Sequence, residues 1–96
     1  MPEYLVITEH GSRNRGREYG TSRDESVITY PDDRTAIFEA AEDCFAALGR
    51  YATVTEVGPI GCEQKDGWTP VSSVFGSDGD WPVSRFCFIK IYSKTR

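Results

Sequence analysis

PDDRTAIFEAAEDCFAALG, residues 31–49, is the stretch whose reading decides the fold. At about 100° per residue, Ile37, Phe38, Ala41, Cys44, Phe45 and Leu48 fall on one arc, while Thr35, Glu39, Glu42, Asp43 and Arg50 fall on the other. Both ends are marked. Pro31 interrupts what precedes it, and Asp32 or Asp33 can accept the free amide hydrogens of a first turn and complement its positive end. Gly49 can adopt the positive φ that closes a helix. The pattern predicts a helix over Asp33–Leu48 with an acidic outer face. Ile37, Ala41, Phe45 and Leu48 should rest on a sheet, and Phe45→Ala should then cost about 3–5 kcal/mol, as buried aromatics do.

Working outward, Tyr4–Glu9 (YLVITE) and Ser26–Tyr30 (SVITY) read as strands, joined by HGSRNRGREYGTSRDES. That joint holds four arginines and almost no apolar residue, so it reads as a loop or a wide hairpin end, and the two strands as an antiparallel pair. Beyond the helix, Tyr51–Val57 (YATVTEV), Val71–Phe75 (VSSVF) and Arg85–Ser93 (RFCFIKIYS) alternate as strands, with a hairpin turn at Asp78-Gly79. The order β-β-α-β-β-β predicts a single α+β domain over residues 1–96. It is one amphipathic helix on a mainly antiparallel sheet of four to five strands, a two-layer sandwich. The face under the helix is expected to hold Leu5, Ile7, Val54, Cys87, Ile89 and Ile91. Phe86, Phe88 and Tyr92, with Tyr4 and Val6, then lie on the other face. They need cover from the loops carrying Trp68 and Trp81, from a second copy in a homodimer, or from a partner.

A chain of 96 residues with 39% apolar and 27% charged residues can bury one modest core, which excludes a disordered chain. No apolar run approaches the roughly 20 residues of a membrane span, and Met1–Glu9 lacks the pattern of a signal peptide, so the expected compartment is the cytoplasm. The net charge of −4 is unevenly spread. From Asp24 to Asp80 there are twelve acids against three bases, a net of −9, whereas residues 81–96 carry four bases and no acid. Such a body repels nucleic acid and attracts basic surfaces.

Little in the sequence supports chemistry. Cys44, Cys62 and Cys87 are widely spaced and Cys44 lies on the apolar helix arc, so they read as reduced thiols and not as zinc ligands; no metal and no cofactor is expected. His10 is the only imidazole and has no nucleophile at a telling spacing. Asp78-Gly79-Asp80 lacks the later ligands of a calcium loop. Arg85-Phe86-Cys87-Phe88-Ile89-Lys90 resembles part of the basic and aromatic strand of RNA-recognition motifs, which implies base stacking by Phe86 and Phe88. It lacks that family's glycine after the basic residue and one of its two helices.

The expected function is therefore binding, not catalysis. In size, charge and lack of catalytic residues the chain looks like the small inhibitors of phages and mobile elements, the anti-CRISPR and anti-restriction proteins. That likeness implies that carboxylates occlude a basic nucleic-acid-binding surface of a target protein. The candidate contact residues are Glu39, Glu42, Asp43, Asp32 and Asp33 on the helix, and Arg13, Arg15, Arg17 and Arg23 in the arginine-rich segment. The alternative is a nucleic-acid-binding protein that uses residues 11–23 and the last strand.

Overall fold

The computed structural model describes residues 1–80 and 82–95. Its elements are β1 (Glu3–Asn14), β2 (Arg17–Thr29), α1 (Asp33–Leu48), β3 (Thr53–Gly58), β4 (Trp68–Asp78) and β5 (Val83–Lys94). The strands form one antiparallel sheet in the order β2-β1-β5-β4-β3, with α1 lying across β5, β4 and β3 on one face. The fold is α+β, as the sequence predicts. It is elongated, 44 × 25 × 19 Å, because β1 and β2 run well past the helix.

The helix has the predicted limits and caps. Asp32 Oδ1 accepts from the Thr35 amide at 2.8 Å, and the Gly49 amide donates to the Phe45 carbonyl at 2.7 Å with φ of +103°. Its rotation differs from expectation. Ala36, Ala40, Cys44 and Leu48 are buried, with Ile37 and Ala41 packed beside them. Phe38 is 61% exposed and Phe45 37% exposed, so Phe45 is not a core residue. The bulky rings bias a periodicity reading toward their own side, whereas the sheet admits only small side chains beneath the helix axis. At Gly76 of β4 an added Cβ would stand 3.1 Å from Leu48 Cδ1, 3.2 Å from Cys44 Cβ and 3.3 Å from Val54 Cγ2.

The facing of β5 is as predicted, with Cys87, Ile89 and Ile91 under the helix. That of β1 is reversed: Tyr4 and Val6 join the helix-side core, while Leu5 and Ile7 pack with Tyr92 on the other face. Tyr4 through Ile7 are all buried, so alternation carries no phase there; an inner strand covered on both faces reads as a continuous apolar run. Tyr4 Oη also donates to Asp33 Oδ1 at 2.6 Å, pinning the first helical turn to β1. Burial, reinforced by that carboxylate, pushes the Tyr4 phenol up to about 12.

The arginine-rich segment, expected as a loop or a wide hairpin end, is a hairpin end paired up to its tip. It is the outer half of a β1–β2 hairpin, turned at Arg15-Gly16, both with positive φ, as two-residue hairpin turns require. Paired charges support the ladder: Arg13 stands opposite Glu18 at 3.1 Å, and Glu9 opposite Arg23 at 3.9 Å. With polar residues on both sides, this half shows no hydrophobic alternation, so its sequence leaves a loop and a wide hairpin end equally open.

Candidate functional site: an acidic helix face and an arginine-bearing hairpin

The five acidic candidates separate into two groups. Asp32 is the helix cap, and its hydrogen bonds from Thr35 hold its carboxyl below the ordinary range. Asp33 is held by Tyr4. Glu39, Glu42 and Asp43 project from the exposed side of α1, and none of them has an ion-pair or hydrogen-bond partner among the described residues. Glu39 and Asp43 lean toward the β1–β2 side. Tyr30, which stacks on Tyr4 with centroids 5.8 Å apart, has its phenol pushed up by burial first and then by these two carboxylates. Asp24 faces the same side of the sheet, since it pairs with Thr8 and Thr8 with the helix-side Ile89.

The four arginines are also divided. Arg23 is surrounded by acids: Glu63 at 2.6 Å, Glu25 at 3.1 Å and Glu9 at 3.9 Å. These partners, Glu63 foremost, push its guanidinium further up. Arg13 pairs with Glu18 and lies 4.9 Å from the Phe86 ring centroid and 5.7 Å from that of Phe75. Arg15 and Arg17 remain at the hairpin tip without an ion pair among the described residues, beside an open groove of about 1100 Å³ that Tyr19 and Val83 also line. The structure therefore does not gather the four into one basic surface.

The far face of the sheet, which α1 leaves bare, is covered at one end by the segment between β3 and β4. An added Cβ at Gly61 would meet the Phe88 ring at 2.8 Å, and Cys62 and Trp68 pack on Leu5, Ile7 and Tyr92. Cover by Trp68 thus agrees with expectation; the part expected of Trp81 lies outside the described residues. Ion pairs anchor this segment: Glu63 to Arg23, Lys65 to Glu25 at 3.1 Å, and the buried Lys90 to Glu9 at 2.6 Å and Glu63 at 3.7 Å. Lys65, then Arg23, hold Glu25 below its usual value, and Arg23 does the same for Glu63. Tyr92 lies beneath with a buried, unbonded hydroxyl, pushed up to about 12 by desolvation.

No local spacing in the sequence reports this network, whose partners are 40 residues apart for Arg23–Glu63 and Glu25–Lys65 and farther still for Glu9–Lys90. Beyond its rim, Phe75, Phe86 and Phe88 line a niche of about 300 Å³ with Glu9, Arg13 and Glu18. Phe86 is 5% exposed and Phe88 lies under Gly61 and Lys90, so neither offers a free ring face to a nucleobase. Cys44 and Cys87 are buried free thiols; hydrogen bonding to Cys87, then burial, pushes the Cys44 thiol far up. No cluster of three or more metal-ligating side chains occurs among the described residues, and no described helix is long and apolar enough to cross a membrane.

A scan against protein-family models and searches of curated proteins and of solved structures found no match.

Proposed function

We propose that this chain is a non-enzymatic protein-binding module of the cytoplasm, whose acidic helix face occupies a basic, nucleic-acid-binding surface of a target protein. One observation carries the reading. Among the described residues, Glu39, Glu42 and Asp43 stand in solvent without cation partners, whereas Arg13 and Arg23 are spent on Glu9, Glu18, Glu25 and Glu63 and Arg15 and Arg17 stand away at the hairpin tip. Unpaired carboxylates on a rigid helix keep their field, and the net of −9 between Asp24 and Asp80 extends it. In this reading the chain works as the small phage and mobile-element inhibitors do, by filling sites meant for phosphates.

The test is a triple reversal, Glu39→Lys, Glu42→Lys and Asp43→Lys, used beside the parent as bait. The parent should retain a nucleic-acid-binding protein that added double-stranded DNA or RNA releases, and the reversed chain should not. Retention by both, or no release by nucleic acid, counts against occlusion.

A second reading rests on Arg15, Arg17 and Tyr19 at the hairpin tip, whose groove could follow a phosphate backbone. Gel shift with mixed-sequence DNA and RNA at low salt separates the two. Binding lost in Arg15→Ala/Arg17→Ala promotes the second reading over the first.

A further inference from the structure

We propose that the free edge of β3, together with the Phe38–Phe45 flank of α1, is a self-association surface, and that its occupant is a second copy of this chain. The sheet has two edges, β2 and β3. The β2 edge is defended by charge, with Arg17, Glu18, Arg23, Asp24 and Glu25 along it, while a register irregularity occurs in both edge ladders, near His10 and between Glu56 and Gly58. The β3 edge is Thr-Val-Thr-Glu-Val-Gly, with one charge, no proline and no lysine. It is a strand of the kind that adds another strand.

The surface above that edge is apolar as well. Phe38 and Phe45 lie two helical turns apart on the β3 side of α1, and both are exposed. Below Phe38 a cavity of about 440 Å³ is lined by Arg34, Ile37, Phe38, Ala41 and Glu56. Its two charges are opposite, and among the described residues they are not paired with each other. A two-fold axis through an antiparallel β3–β3 pair makes this self-complementary. It sets Arg34 of each copy toward the other's Glu56, and the phenylalanines of each helix toward those of its mate. The result is one ten-stranded sheet with both helices on the same side.

The acidic candidates do not oppose this arrangement. Glu39 and Asp43 lie on the flank of α1 opposite Ile37 and Ala41, away from β3, so they stay clear of the seam, and the two Glu56 carboxylates that meet near the two-fold axis are each faced by an Arg34. The proposal is independent of what the acidic face binds, because the two surfaces share no residue.

Sedimentation equilibrium of the full chain tests it. The weight-average mass should rise with concentration from 10.8 kDa toward twice that value. Phe38→Glu and Phe45→Glu should each weaken the dimer at least about tenfold, and Arg34→Glu by several-fold, with unchanged circular dichroism. Val27→Glu, at an exposed position on β2, should leave dimerisation within about twofold of the parent. A monomer at every concentration up to about 1 mM overturns the proposal, as does a dimer indifferent to Phe38→Glu and Phe45→Glu. A dimer lost in Val27→Glu places the contact at β2 and overturns it equally.

Discussion

Gly76→Ala is the sharpest probe of how the helix sits on the sheet. Gly76 lies in β4 beneath the last turns of α1, and its φ is not in the positive region, so the backbone itself tolerates alanine. Three atoms decide the outcome. The new methyl would stand 3.1–3.3 Å from Leu48 Cδ1, Cys44 Cβ and Val54 Cγ2, tighter than ordinary van der Waals contact on three sides. Leu48 and Val54 can turn away only by disturbing neighbours, and Cys44 Cβ moves only with the helix. Overpacking of this kind costs about 1–3 kcal/mol. Loss of unfolded-state freedom on replacing glycine returns about 0.4–1 kcal/mol. The net expectation is a loss of ~1–2 kcal/mol, a fall in melting temperature of roughly 4–15 °C for a domain of this size. Urea denaturation measures it, and a cycle with Leu48→Ala isolates the cause. Removing Cδ1 opens space for the methyl, so Gly76→Ala should cost about 1 kcal/mol less in the Leu48→Ala background. A neutral or stabilising Gly76→Ala would mean that α1 does not rest on β4 at this spot.

Phe45→Ala should cost less than about 1.5 kcal/mol, well under a buried aromatic, while Ile89→Ala beneath the helix should cost about 2–5 kcal/mol; chemical denaturation of both checks the helix rotation. The acid limb of stability should report the Glu25 and Glu63 network. Their folded values lie below the ordinary 4.5, so the stability they contribute is present above pH 4.5 and is lost as pH falls through the depressed values. Melting temperatures of Glu63→Gln should accordingly vary less with pH between about 5 and 3 than those of the parent. On the alkaline side Tyr4 and Tyr92, raised to about 12 from 10.0, stabilise the fold fully below pH 10 and progressively less up to about 12. Tyr4→Phe should flatten that decline in a pH series of thermal melts, and an unchanged slope would remove Tyr4 as a cause.

The helix limits, the five strands and their antiparallel pairing are legible because each rests on local chemistry: an Asp cap, a closing glycine, alternation along β5. Three features are not. Helix rotation was misplaced by Phe38 and Phe45, since periodicity weighs a large ring by its apolarity and knows nothing of the small gap above Gly76. The phase of β1 was unreadable in four consecutive apolar residues. The outer hairpin is stabilised by cross-strand charge pairs, Arg13 with Glu18 and Glu9 with Arg23, and a sequence scan sees only polarity there. For the candidate site, the acidic helix face follows from spacing alone. The division of the arginines does not, because the partners Glu9 and Glu63 of Arg23 come from a neighbouring strand and a distant loop.

The sheet order places β5, last in the chain, at the centre, between β1 and β4. Until β5 is in place the hairpin of β1 and β2 and the pair β3–β4 are two separate ribbons, each with a bare inner edge. Neither has a complete core to cover, since Ile89 and Ile91 are missing from beneath α1. β5 reaches β4 through a local hairpin, but joining it to β1 closes nearly the whole span from Glu3 to Lys94, which lie 3.2 Å apart. Loop closure over that distance is entropically slow and unrewarded until β5 docks. Docking of the β1–β2 hairpin onto β5 should thus be the slow step, and a nascent chain lacking β5 would be two unmatched β-ribbons open to chaperones and to one another.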